Sequence, residues 1–309
     1  MTTTAFQKMK DRSLSGNAMK DLLVTIERDF PGYNTQEQGR IITTRVIDAL
    51  RSTGEIKDLS LADKIENCGR GKLCSSVYCE DCRKRAANGL NKRISDHTQD
   101  RFGDDADEAR YRLRYMTVLC ELTAFNVADV KQAVANARKD FKATKRKFPD
   151  IWMQGSFEFE LIDMKLLDKS DAGVDQNKRA IKQQTLSAMM DMSIKDNRSL
   201  GQRVIVHFHV LLDLNETDEE EFKNWVSSRW NCHRNQTEVK RLQKGQSLEE
   251  MTKKVSSYGF KNRIQYNLSF ATKGYKKGVW FSNENLGTLA GIYDRIGNRG
   301  YKSLLIGIG

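Results

Sequence analysis

Two histidines interrupt an apolar run at Arg203-Val204-Ile205-Val206-His207-Phe208-His209-Val210-Leu211-Leu212-Asp213, in a chain with only four. The run has the composition of a buried strand. Side chains alternate along a strand, so His207 and His209 share one face and Val206, Phe208 and Val210 take the other. Their roots then stand roughly 6.5–7 Å apart, within reach of one ion. The plainer alternative is a pair of hydrogen-bonded sheet histidines, but two polar rings on one face of such a strand are costly without a partner.

A second cluster is Cys68-x5-Cys74-x4-Cys79-x2-Cys82, four cysteines in fifteen residues. Converging thiolates favour a closed tetrahedral Zn²⁺ site, and Cys79-x-x-Cys82 has the usual knuckle spacing. Four free thiols so close together would be prone to oxidation with no compensating role. The expected task of this zinc is to brace a segment too small to hold a core. Arg83-Lys84-Arg85, directly after it, would lie near phosphates if DNA passed there.

Carboxylates for the histidines come from Gly155-Ser156-Phe157-Glu158-Phe159-Glu160-Leu161-Ile162, whose strict alternation puts Glu158 and Glu160 together on one face. They are either exposed and inert or reach a metal bound by histidines on a neighbouring strand. A capping box, Ser247-Leu-Glu-Glu250, opens a helix with Leu248, Met251, Val255 and Tyr258 on one stripe, and Lys261 follows on the same side.

These residues need elements to hold them. Two amphipathic helices are predicted between Asn17 and Leu50 around a break at Phe30-Pro31-Gly32. The span Tyr115–Thr123 reads as a strand, followed by a helix with Val127, Val130, Val134, Ala137 and Phe141 on one stripe. After the histidine strand, Thr217-Asp-Glu-Glu220 is a capping box opening a helix with Phe222, Trp225 and Val226 inward. Ile264–Phe270 alternate as a further strand, and Glu284–Ile296 read as a helix stopped by Gly297 and Gly300. The pattern predicts an α+β fold: a central antiparallel sheet with helices packed on one face, leaving the histidine face open. The expected division is an N-terminal helical region over 1–55, a cysteine zinc-binding region and linker over 56–110, and a sheet domain with a C-terminal basic and aromatic extension over 111–309.

Composition narrows the partners. Lys and Arg number 52 against 41 Asp and Glu, a net charge of +11, and such a field concentrates polyanions, nucleic acid first among them. Lys273, Lys276 and Lys277, interleaved with Tyr275 and Trp280, suit backbone contact and base stacking. No run of eighteen apolar residues and no export signal is present, so a cytoplasmic protein without a membrane partner is expected. No phosphate-binding loop of the G-x-x-x-x-G-K-[ST] type occurs, which excludes an evident ATPase motor.

Taken together, the motifs resemble the HUH endonucleases, named for His-hydrophobic-His, and among them the single-tyrosine rolling-circle replication initiators of plasmids and phages. The resemblance spans about residues 112–270. Met116-Thr117-Val118-Leu119 to Thr123 looks like the family's first motif, Val206-His207-Phe208-His209-Val210 its second and Tyr258-x-x-Lys261 its third, in the family's order. It implies a ferredoxin- or RRM-like palm. It also implies Mg²⁺ or Mn²⁺ held by His207, His209 and Glu160, or alternatively Glu158. Tyr258 is then the nucleophile that forms a 5′-phosphotyrosine with single-stranded origin DNA, and Lys261 lowers its pKa or holds the phosphate. A host helicase and polymerase are the implied partners.

The chain departs from the family where a carboxylate one helical turn before the tyrosine is expected, because Lys254 stands there and Glu250 is two turns back. Tyr111-x3-Tyr115 has the spacing of a paired-tyrosine motif but precedes the first motif. The competing expectations are a non-catalytic zinc-braced nucleic-acid-binding protein, and a transposase or relaxase with the same chemistry.

Overall fold

The computed structural model describes residues 36–70, 72–164, 176–190, 201–230, 233–242, 247–260, 263, 264, 266, 280–297 and 300–308, with the backbone alone at 36–38, 176–180, 182, 183, 251, 258 and 308. In chain order these form α1 (Gln36–Ser52), α2 (Ile56–Glu66), α3 (Glu80–Phe102), α4 (Ala106–Arg112), β1 (Leu113–Ala124), α5 (Val127–Lys147) and β2 (Trp152–Asp163). There follow α6 (Gln176–Met190), β3 (Gln202–Asp213), α7 (Glu219–Trp230), β4 (Thr237–Arg241), α8 (Leu248–Tyr258), α9 (Asn283–Arg295), a 3₁₀ turn (Gly300–Leu304) and β5 (Leu305–Ile308).

The histidine strand, β3, is the middle of a five-stranded sheet of order β4-β1-β3-β2-β5 in which every neighbouring pair is antiparallel. Both edges of β3 are paired, and the strand is buried on both faces from Val204 to Asp213. Register does the positioning: Glu158 pairs with His207, and Ser156 on one side and Thr117 on the other pair with His209. A bulge between Leu119 and Glu121 sets Cys120 outside the ladder.

One face of the sheet carries Phe157, Phe159, Val206 and Phe208, and α5 and α7 pack on it. The α5 stripe of Val130, Ala133, Val134, Ala137 and Phe141 is buried, with the Phe141 ring 4.4 Å from that of Phe208. Asn126 caps α5 by accepting from the Asp129 N–H. At α7 the cap is Asp218 instead of Thr217, since its side chain accepts from the Glu221 N–H at 2.7 Å. The box at Ser247 and Glu250 forms as expected and opens α8.

The histidine face is not open. The long helix α3 crosses it: the His97 ring stacks on Trp152 at 3.9 Å, and its Nε2 lies 3.1 Å from Asp213 Oδ2. Helix α8 lies beside α3, with Ser256 Oγ 3.4 Å from Asn91 Oδ1. Helix α6 closes the far end, where Leu186 packs with Leu122 and Ile205. His207 and His209 are accordingly buried. Helix α3 escapes a periodicity search because its inward stripe, Cys82, Ala86, Leu90, Ile94 and Thr98, is sparse and partly small or polar amid many charges.

The apolar core runs without a break from Ile41 in α1 to Ile306 in β5, so the N-terminal helices, the cysteine region and the sheet share it. Of the two N-terminal helices expected, the second is α1, and the first lies outside the described residues. In the expected strand 264–270, Ile264 and Tyr266 belong to no strand, and the remaining positions, like 271–279, lie outside the described residues. Edge strands β4 and β5 are additions that the sequence pattern did not announce. Among the described residues no helix is long and apolar enough to cross a membrane.

Candidate metal centres

Glu158, His207 and His209 each offer a ligand atom, and these atoms all lie within 4.8 Å of one another. The sheet makes this meeting: adjacent strands bring the Glu158 and His207 roots opposite, and alternation returns His209 to the same face. Oε2 of Glu158 is 3.1 Å from His209 Nε2 and 3.8 Å from His207 Nε2. The imidazole centroids are 5.0 Å apart. Glu160, one pleat further along, pairs with Ile205 and is not in the ligand group; the carboxylate that meets the histidines is Glu158.

His207 is 4% exposed, and neither of its ring nitrogens has a hydrogen-bond partner. A buried polar group left so costs roughly 1–3 kcal/mol, and a metal ion on one nitrogen would relieve it. Burial pushes the His207 pKa down to about 4, beyond what Glu158 restores, so at neutral pH the ring is neutral, as a ligand must be. Burial alone would raise Glu158, but the charges around it outweigh that and hold its carboxyl well below the usual range. With His207 neutral, the Arg263 guanidinium, whose Nε donates to Glu158 Oε1 at 2.8 Å, is the cation that does so at neutral pH.

His209 is held from behind. Its Nδ1 lies 2.6 Å from the Tyr115 hydroxyl and 3.0 Å from Thr117 Oγ1, and the Tyr115 ring stacks on it at 5.8 Å. Nε2 donates to Glu158 Oε2 in the metal-free protein; with an ion bound, a hydroxyl oxygen accepting from Nδ1–H would leave the Nε2 lone pair for the metal. These donors, one carboxylate oxygen and two imidazole nitrogens, fit a divalent metal.

The four cysteines meet as well. The ligand sulfurs of Cys68, Cys74, Cys79 and Cys82 lie within 4.8 Å of one another. Cys79 is the N-cap of α3 and Cys82 sits in its first turn, where the helix end favours thiolate. Backbone N–H groups of Cys74 and Ser75 donate to the sulfurs of Cys68 and Cys82, each at 3.3 Å. Hydrogen bonds from Cys74 and Cys79 push the Cys82 thiol down to about 4. The loop is clamped by Gly300, whose φ of +54° and close approach to the Ser75 carbonyl leave no space for a side chain.

Comparison with family models, curated proteins and solved structures finds no match. The assignment of chemistry therefore rests on the arrangement itself.

Tyr258 ends α8, and the next residue reaches the site. A Cβ on Gly259 would stand 2.0 Å from Ser156 Oγ and 2.8 Å from the Phe157 carbonyl oxygen, so the backbone just after Tyr258 lies directly on β2, where Ser156 pairs with His209. The Tyr258 side chain and Lys261 lie outside the described residues. Tyr115, Thr117 and Arg263 were not singled out as site residues from sequence. For the first two a signal existed, because a Tyr-x-Thr pair on a strand presents both hydroxyls to one face.

Proposed function

We propose that this chain is a metal-dependent DNA nickase and strand transferase of the HUH type, acting on single-stranded origin DNA to start rolling-circle replication. The observation that carries the reading is the seating of Gly259 on Ser156, which brings the end of the Tyr258 helix to the Glu158/His207/His209 group. The run β1-α5-β2-α6-β3-α7-β4, with sheet order β4-β1-β3-β2, agrees with a ferredoxin-like palm that carries α6 as an insertion between its second and third strands. The net charge of +11 suits a polyanionic substrate.

Mg²⁺ or Mn²⁺ held by Glu158, His207 and His209 would act as a Lewis acid on the scissile phosphate. The Tyr258 phenolate attacks phosphorus, a tyrosyl–phosphate bond forms, and the bond to the 3′ oxygen breaks, leaving a 3′-OH after protonation. The phosphodiester energy is kept in the 5′-phosphotyrosine for rejoining. Lys261 is assigned to favour the phenolate or hold the phosphate. Zn²⁺ belongs at Cys68, Cys74, Cys79 and Cys82. A second cleavage cannot draw on Glu250 while its carboxylate is committed to the capping box, accepting from the Ser247 N–H at 3.0 Å. A host helicase and polymerase would extend the freed end.

The test is incubation of the full chain with Mn²⁺ and a randomised pool of single-stranded oligonucleotides, followed by denaturing electrophoresis. A DNA adduct that survives denaturation is expected, and Tyr258→Phe should abolish it while DNA binding persists. An adduct in Tyr258→Phe rejects the nucleophile. Binding with no adduct from any sequence instead supports a zinc-braced nucleic-acid-binding protein.

A further inference from the structure

Glu158 divides its two oxygens. Oε2 faces both histidines, whereas Oε1 accepts from Arg263 Nε at 2.8 Å. The same guanidinium has a second nitrogen 3.9 Å from Glu160 Oε1. An arginine cannot be deprotonated in a protein, so a permanent positive charge stands behind a ligand whose task is to attract a cation. For a site that only stores metal this arrangement is counterproductive, because the guanidinium repels the ion that Glu158 attracts.

We infer that Arg263 is a positioning residue that occupies Glu158 Oε1, restricts the carboxylate to one-oxygen ligation and leaves a bound divalent ion with little of its charge neutralised by its ligands. The inference rests on the metal-dependent reading proposed above. Two neutral imidazoles add no charge, and the Glu158 charge is cancelled by Arg263. Glu160 returns one negative charge, but from outside the ligand group. The ion is therefore held loosely enough to exchange, and keeps its attraction for an added phosphodiester. The guanidinium does this with Nε on Oε1 while a second nitrogen stands toward Glu160.

Loss of the Arg263 charge should act on metal binding with the opposite sign from loss of a merely structural ion pair. Mn²⁺ binding to the full, zinc-loaded chain, measured by the loss of the free-ion electron paramagnetic resonance signal, should tighten about tenfold in Arg263→Gln. The affinity of the Mn²⁺-loaded protein for inorganic phosphate should fall about fivefold in the same variant. Arg263→Lys keeps the charge, and its Mn²⁺ affinity should stay within about twofold of wild type. Weaker or unchanged Mn²⁺ binding in Arg263→Gln overturns the inference. If that variant does not fold, Mn²⁺ binding tightened about tenfold in Arg263→Lys overturns it as well. His207→Ala separates the two levels: if wild type binds Mn²⁺ no better than His207→Ala, the metal reading itself fails, whatever Arg263 does.

Discussion

Gly259 and Ser156 touch so closely that a methyl group on Gly259 would overlap the Ser156 hydroxyl, at 2.0 Å from its oxygen. The φ of Gly259 is −74°, which any residue adopts, so space and not backbone conformation demands glycine here. The contact fixes where the helix bearing Tyr258 stops relative to the strand bearing Glu158.

Gly259→Ala should therefore displace the end of α8. The expected loss of stability is about 1–3 kcal/mol, typical of overpacking. DNA-adduct formation should fall about 100-fold, because a shift of about 1 Å at a reacting group has that effect. Ser156→Gly, added to Gly259→Ala, removes the two side-chain overlaps but leaves the Phe157 carbonyl at 2.8 Å, so it should rescue only in part. The check is adduct yield beside Mn²⁺ affinity. If Gly259→Ala weakens Mn²⁺ binding as much as it lowers adduct, the contact supports the metal group instead of the tyrosine.

The two groups of candidate metal ligands were legible in the sequence because their signals are local. His-x-His and Glu-x-Glu on strands declare a shared face, the cysteine spacing declares a knuckle, and the box at Ser247 declares a helix start. Two things depended on tertiary packing. The choice of Glu158 over Glu160 is set by β2–β3 register, which alternation alone leaves free by two residues. The covering of the histidine face depends on α3, whose stripe of Cys82, Ala86, Leu90, Ile94 and Thr98 is too small and sparse to announce its burial. Arg263 was illegible because it lies in an irregular segment, where no periodicity connects residue type to position.

Tyr115 and Thr117 share one ring nitrogen of His209, so removing either leaves a partner. Tyr115→Phe or Thr117→Val alone should weaken Mn²⁺ binding only severalfold. The double variant should weaken it about 10–100-fold, the range found for losing an outer-shell partner. Isothermal titration with Mn²⁺ decides this, and a double variant that binds like wild type would sink the orienting role.

Acid should destabilise the metal-free triad through His207. Its folded pKa of about 4 lies below the ordinary 6.5, so between these values the unfolded chain binds more protons and stability falls as the pH drops. The full window corresponds to about 3 kcal/mol for this group. Glu158, held below its ordinary value, adds a loss of the same sign at lower pH. Urea melts of the zinc-loaded chain without Mn²⁺ or Mg²⁺ should show this slope from pH 6.5 downward, and His207→Leu should flatten it. An equally steep slope in His207→Leu would assign the acid sensitivity elsewhere.

The cysteine centre is expected to hold the lid over the histidines. Cys79 and Cys82 fix the start of α3, which crosses the histidine face and carries the His97 stack on Trp152 in its second half. Between the cysteines, Tyr78 is buried against Tyr293, and its hydroxyl donates to the Arg263 carbonyl at 3.4 Å. Zinc removal should thus reach the triad by two routes, through α3 and through the backbone of Arg263. Treatment with a thiol reagent and chelator should release one zinc per chain, lower the melting temperature by about 10 °C and speed amide exchange across residues 80–102. His207→Ala, which leaves the cysteines intact, should change neither the zinc content nor that exchange. Unaltered exchange in α3 after zinc release would mean that the helix is held by its apolar stripe and the His97–Asp213 pair, with the metal serving only its own loop.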